Sequence, residues 1–124
     1  MNDTSNVLHV SWNQVELEEM NPLLLRQYIC GANITVARVQ LKKGAIVARH
    51  SHENEQVTCV LEGALTLRFP DREVTLRPGE ILCIPGHLPH EAEAPEDCLL
   101  LDIFSPPRTD WLAQQDAYMR TGKR

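Results

Sequence analysis

Between residues 23 and 104 no apolar run extends beyond about eight residues before glycine, proline, asparagine or a charged cluster interrupts it, and that cadence excludes a helical bundle. Strands are expected at 23–30, 34–41, 45–50, 57–61, 64–69, 73–76, 81–84 and 98–104, where Val, Ile, Leu, Thr and Cys dominate or alternate with polar residues. Turns fall between them at 31–33, 42–44, 62–63, 70–72, 77–79, 85–86 and 94–97. Many short strands at regular spacing predict an all-β sandwich or jelly roll. Gly44, Gly63 and Gly79 sit in those turns and are expected to take backbone angles that other residues avoid. A short helix is expected over 111–120, with Thr109 or Asp110 as its N-cap. The whole chain, 1–124, reads as one domain: a barrel core at 23–104, an N-terminal extension at 1–22 and a tail at 105–124, without internal repeats.

Composition narrows the function classes. Net charge is -5 and no basic run occurs, which argues against nucleic-acid binding. No apolar stretch is long enough to span a bilayer, and the first twenty residues lack the pattern of a signal peptide. A soluble, cytoplasmic protein is expected. Cys30, Cys59, Cys83 and Cys98 stand singly within apolar runs, so they are expected to be buried free thiols in a reducing compartment.

The chemistry is concentrated in two glycine-bounded stretches. Gly44 is followed after five residues by His50-Ser51-His52, after three more by Gln56 and after six more by Gly63; downstream come Gly79, Pro85 and His90. Two histidines spaced by two project to one face of a strand about 6–7 Å apart, near enough to share an ion. Imidazole nitrogens suit Zn, Fe, Ni, Cu or Mn, and an amide or carboxylate oxygen can complete a half-open shell. Any one histidine alone would read as solvated beside Ser51, Glu53, Asn54 and Glu55; three placed by paired motifs read as a metal site.

These motifs resemble those of the cupins. In that family the first motif has a glutamate, six residues before its closing glycine, where this chain has Gln56, and the second carries an internal glycine where this chain has His87 beside Gly86. The resemblance implies a double-stranded β-helix, or jelly-roll barrel, here with a short C-terminal helix, binding one divalent transition metal ion (Ni, Zn, Fe, Mn or Co). A neutral Gln56 leaves the charge of a divalent ion uncompensated, which favours Lewis-acid work on an anionic substrate.

If His50 and His52 face inward, alternation places Ile46 and Ala48 inward too, and likewise Leu65, Leu67 and Phe69, with Thr66 and Arg68 outward. On the last strand Leu100, Asp102 and Phe104 share a face, opposite Leu99, Leu101 and Ile103. A carboxylate in an apolar run must be paired, hydrogen-bonded or used. Asp102 is either structural, bonded to backbone or to Arg108, or a pocket acid–base group.

The ending from Asp102 to Trp111, with Ser105-Pro106-Pro107-Arg108 inside it, resembles small bacterial cupins of pectin degradation that act on unsaturated uronates, as does the stretch from His50 to Gln56. That resemblance implies His50, His52, Gln56 and His90 as metal ligands. The implied activity is conversion of a cyclic 4,5-unsaturated monouronate to its open-chain keto acid. Asp102 would move the proton, Phe104 would shape the pocket, and Arg108 would clamp the carboxylate with its planar fork, unless it points outward into solvent. Two other classes stay open: a dioxygenase on a small organic substrate, and a non-catalytic cupin that binds a small acid. Small cupins pair through sheet edges, so a homodimer is expected.

The remaining candidates have blander readings. His9 is expected to be exposed and His87 to order the loop before His90; Trp12, Trp111 and Tyr118 are expected to pack or to form an interface. Arg26, Gln27, Tyr28 and Arg38 are candidates for the pocket mouth.

Overall fold

The turn cadence resolves into ten strands in the computed structural model, which describes residues 6–123. They are β1 (Glu18–Asn21), β2 (Leu24–Cys30), β3 (Thr35–Leu41), β4 (Ile46–His50), β5 (Glu55–Glu62), β6 (Leu65–Phe69), β7 (Arg72–Leu76), β8 (Ile81–Ile84), β9 (His90–Glu93) and β10 (Cys98–Ser105). A six-stranded sheet runs β1-β2-β3-β10-β5-β8 and a four-stranded sheet runs β4-β9-β6-β7. Every pairing is antiparallel. The two sheets face each other as a jelly-roll barrel, and no helix among the described residues is long and apolar enough to cross a membrane.

Alternation on β3 buries Thr35, Ala37, Val39 and Leu41 while Val36, Arg38 and Gln40 stay half-buried on the outer face. Those inward side chains meet Leu24, Val60, Leu65, Leu67, Leu76, Ile84 and Leu100 in one core. A fully buried aliphatic side chain of this size contributes about 1.5–3 kcal/mol, so this cluster, part of which also lines the cavity beside His50 and His90, is a main source of stability. β10 lies at the centre of the large sheet. Its register sets Leu100 between Val39 and Val60, Asp102 between Ala37 and Thr58, and Phe104 between Thr35 and Gln56.

Four sequence expectations need correction. β1 and β9 were not anticipated, because both are four residues long and rich in polar side chains. On β4 the pairing with β9 shifts between Val47 and His50, so Val47 lines the interior with His50, and Ile46 and Ala48 do not; an inserted residue reverses the pleat parity. The expected helix over 111–120 is two single turns, α1 (Thr109–Leu112) and α2 (Ala117–Arg120), and Arg108 rather than Thr109 or Asp110 precedes the first as its cap position. The thiols are free, but Cys98 alone is buried; Cys30 and Cys59 are half-buried and Cys83 is exposed.

The break between α1 and α2 has a tertiary cause. Gln114 takes φ 58°, and Gln115 N–H donates to Asp110 C=O at 2.7 Å, the left-handed closure that ends a helix. Asp116 is thereby turned inward, where it accepts from Arg26 at 2.9 Å. Arg26 is itself 1% exposed, also pairs with Glu18 at 3.0 Å, and lies over the Trp111 ring at 4.2 Å. A buried charge left without its partner is costly, so Asp116 stays paired with Arg26 and the chain keeps the break between the two turns. This ion pair fixes α2 against the open end of the barrel.

Candidate metal and substrate site

His50 ends β4, His90 begins β9, and the two are register partners, so the small sheet delivers both rings to the same end of the barrel. His52 lies in the loop that follows β4. That loop is held by the buried Asn54, whose side-chain amide donates to the carbonyls of Pro106 and, at 3.3 Å, Pro107. On the other side His87 N–H donates to His52 C=O at 2.7 Å. The ring centroids stand 4.5 Å apart for His50 and His90, 5.1 Å for His52 and His90, and 5.5 Å for His50 and His52.

Each ring is oriented by a backbone carbonyl. Nδ1 lies 2.8 Å from Ala48 C=O in His50, 3.1 Å from Asn54 C=O in His52 and 2.8 Å from Leu88 C=O in His90. A carbonyl only accepts, so in the neutral rings of His50 and His90 Nδ1 holds the proton and Nε2 presents a bare lone pair, whereas His52 faces an acceptor oxygen at both nitrogens, Asn54 C=O at Nδ1 and Gln56 Oε1 at Nε2. Burial together with the neighbouring positive groups pushes His50 down to about 3 and His52 down to about 4, and burial lowers His90 as well. All three rings are therefore neutral near pH 7, and one ligand atom from each lies within 4.8 Å of the others. This cluster can hold a divalent metal ion.

Gln56 on β5 adds a second kind of donor. Its Nε2 donates to Thr58 Oγ1 at 2.9 Å and to Asp102 Oδ1 at 3.3 Å, which fixes the amide so that Oε1 faces His52 Nε2 at 3.1 Å. With the His52 proton on Nε2 this contact is an ordinary hydrogen bond; with the proton on Nδ1, toward Asn54 C=O, two lone pairs face each other and a cation beside them relieves the repulsion. The donor set of three imidazoles and one amide oxygen thus fits a metal ion by its own chemistry.

The substrate side is built from β10 and the tail. Val47, Gln56, Leu100, Asp102, Phe104, Arg108 and Tyr118 line a cavity of about 50 Å³ next to His50 and His90. Asp102 accepts from Thr58 Oγ1 at 2.6 Å and from Gln56, and among the described residues it makes no hydrogen bond or ion pair with Arg108, so the structural pairing with Arg108 considered from sequence is not made. Burial pushes its carboxyl up to about 6 against the opposing hydrogen bonds from Thr58 and Gln56 and the positive charge of Arg108. Phe104, 2% exposed, sets its ring edge against His52 at 5.7 Å between centroids.

Arg108 is buried rather than solvated. Its backbone N–H donates to Thr35 Oγ1 at 3.0 Å, and its guanidinium lies over Phe104 at 4.6 Å and Trp111 at 4.5 Å. Nε and Nη2 donate to Asp110 at 2.9 and 2.7 Å, and Nη2 also donates to the Tyr118 hydroxyl. One edge of the expected fork is thus already engaged, and Nη1 is the nitrogen left without a hydrogen bond among the described residues.

Tyr118 is the site residue that sequence reasoning missed. Its ring stacks on His50 at 4.0 Å and 17°, and burial raises its phenol pKa, so it stays protonated near neutral pH. Nothing in the tail's pattern marks it, since the broken helix places it by the Asp116 ion pair. Thr58 was missed too, although its position two residues from Gln56 on a strand puts it on the same face. Trp111 packs as expected, against Phe104 and Tyr28. His9 and His87 are exposed. Arg26, Gln27, Tyr28 and Arg38 do not line the cavity; Gln27 donates to Trp12 C=O and Val15 C=O at 2.8 and 3.0 Å, and Arg38 donates to Gln27.

Residues 37–104 match the family described as the cupin domain. KdgF from Halomonas sp. is similar in structure, with 28% identity and a TM-score of 0.74 over 80% of this chain and 94% of that one. An RmlC-like cupin from Shewanella frigidimarina shows 30% identity and a TM-score of 0.77 over 85% and 96%. The polyketide cyclase RemF from Streptomyces resistomycificus, at 21% identity, shares the fold, with a TM-score of 0.70 over 80% and 79%. No curated protein matches the chain in sequence.

Proposed function

From the premise that this chain belongs to the cupin domain family, we propose that it converts a 4,5-unsaturated monouronate to the linear keto acid with the help of a divalent metal ion. Membership supplies the barrel and the metal-dependent class of chemistry; the likeness to Halomonas KdgF, together with the resemblance of the stretches from His50 to Gln56 and from Asp102 to Trp111 to pectin-degradation cupins, supports the substrate. The observation that supports the reading most directly is Asp102, a carboxyl near pKa 6 that shares one hydrogen-bond network with Gln56 and one cavity with His50, His90 and Arg108.

His50, His52, Gln56 and His90 would hold the ion, which when bound polarises a substrate oxygen as a Lewis acid. Asp102 in its ionised form takes the proton of the hemiacetal hydroxyl. The bond from the anomeric carbon to the ring oxygen then breaks, leaving an aldehyde and an enolate across the former ring oxygen and the double bond. Asp102, now protonated, returns the proton to the carbon of that double bond distal to the carboxylate, and the ketone forms. Atoms balance as an isomerisation with no oxidant. A carboxyl whose pKa lies near the working pH can both accept and return that proton. Arg108 Nη1 pairs the substrate carboxylate, and Phe104 walls the pocket and excludes water. The uncovered edge strand β8, on which Ile81 is 68% exposed, supports a homodimer.

The test follows the ultraviolet absorbance of the unsaturated uronate, which vanishes as the conjugated double bond is lost, while an oxygen electrode records uptake. Metal-dependent loss of absorbance without oxygen consumption is the expected result. Oxygen uptake would replace this reading with a dioxygenase, and silence in both channels would leave a binding protein or a different substrate.

A further inference from the structure

We propose that Tyr118 is a substrate-contacting residue whose phenol donates its single proton to an oxygen of the bound sugar acid. The inference rests on the reading of the cavity as a sugar-acid site, and its support is a count of donors and acceptors around one oxygen.

The Tyr118 hydroxyl receives Arg108 Nη2–H and, at 3.0 Å, Trp111 Nε1–H. Guanidinium and indole nitrogens donate and cannot accept. Both lone pairs of the phenol oxygen are therefore engaged, and its own O–H cannot point toward either neighbour. Among the described residues no side chain or carbonyl accepts that proton. Tyr118 lines the same cavity as Asp102, Arg108 and His50, so the free direction left to the O–H opens on that cavity.

The orientation is held from several sides. The ring stacks on His50 at 4.0 Å, and α2 is tied down by the Arg26–Asp116 pair and by Asn21 Nδ2, which donates to Met119 C=O at 3.2 Å. A phenol fixed by two charged or aromatic donors and aimed into a small cavity is preorganised to meet an acceptor there, which a sugar acid offers and an apolar ligand does not. The cavity of about 50 Å³ beside the phenol is the size of a few polar atoms, room for the acceptor oxygen of a sugar acid rather than for the whole ligand. Sequence reasoning left Tyr118 as a packing or interface residue; its hydroxyl also accepts from Arg108 and Trp111, and those two bonds leave its own proton unused.

Tyr118→Phe separates these roles, because it keeps the ring on His50 and removes only the hydroxyl. Binding of D-galacturonate, a saturated hexuronate that cannot react, is measured by calorimetry on metal-loaded protein, beside thermal midpoint and the visible spectrum of the cobalt-substituted form. The expected result is about tenfold weaker galacturonate binding, with the cobalt spectrum unchanged and the midpoint lowered, because Arg108 and Trp111 each lose a buried acceptor. Unchanged affinity overturns the inference, as does loss of affinity accompanied by an altered cobalt spectrum, which would mean that the hydroxyl only props His50. Absence of galacturonate binding by the parent protein also overturns it. Tyr118-dependent binding without turnover of the unsaturated uronate would sustain the inference and sink the proposed reaction, so the two fail separately.

Discussion

Asp102 and Gln56 test the site at the level of single atoms. Asp102→Asn keeps an oxygen to accept from Thr58 but cannot carry a proton, so kcat is expected to fall about 10²- to 10⁴-fold, with metal content unchanged. The same variant has a stability signature in metal-free protein. Burial raises the Asp102 carboxyl from 3.8 to about 6, so its contribution is full below pH 3.8 and is lost as pH rises through 6. Thermal midpoints of Asp102→Asn and parent should therefore converge near pH 4 and separate in favour of the variant above pH 6. Gln56→Glu reaches the network from the other side. A carboxylate there would add charge to the donor set and replace the amide that donates to Asp102 at 3.3 Å, raising the Asp102 pKa further. Tighter metal binding and an alkaline shift of the rising limb of kcat/KM against pH are expected; a profile that does not move would remove Asp102 from the acid–base role.

Two turn positions show how the elements around the site are set. At Gly63 the chain holds φ 79°, and a Cβ would lie 1.8 Å from Asp97 C=O, so Gly63→Ala should cost at least about 2 kcal/mol in denaturant unfolding. His87 has the opposite sign. It holds φ 68° without being glycine, at the position where the cupin motif has one, and it is exposed. His87→Gly should relieve about 1–2 kcal/mol of backbone cost, offset by roughly 0.5–1 kcal/mol from the freer unfolded chain, and keep the N–H that holds His52. A variant that unfolds more easily than the parent would mean that the ring of His87 supports the loop. Those glycine positions and the facing of β10 were legible in sequence, because turn chemistry and a period of two are local. The parity of β4, the strand β9 and the split tail were not. A single inserted residue before His50 is silent in a hydrophobicity pattern, and the tail is shaped by Arg26, ninety residues away from Asp116 in the chain. Tyr118 shares that blindness, since its place depends on the same long-range ion pair.

For the whole molecule the metal cluster is also a stability element, and its sign follows from the histidines. Folded-state values of about 3 for His50 and about 4 for His52 lie below the ordinary 6.5, so the unfolded chain takes up protons that the metal-free fold refuses. Their contribution is full above pH 6.5 and drains away as pH falls toward 4 and then 3. Asp102 acts in the other direction but over a smaller shift, so the histidines set the trend of the metal-free protein on the acid side. A bound ion adds its own term, because the same neutral nitrogens that resist protonation are ligands only in the folded state. With free metal at about a hundred times its dissociation constant the added stability is about 2.7 kcal/mol, which for a domain of this size is a rise of roughly 8–16 °C. Thermal unfolding with and without chelator from pH 8 to pH 4.5 should show two curves well separated at pH 8. They should approach each other as acid takes the histidines from the metal, and both should fall as pH drops. Curves that coincide at pH 8 would mean that the three imidazoles and Gln56 do not hold an ion in the folded protein, and the metal-dependent reading would fall with them.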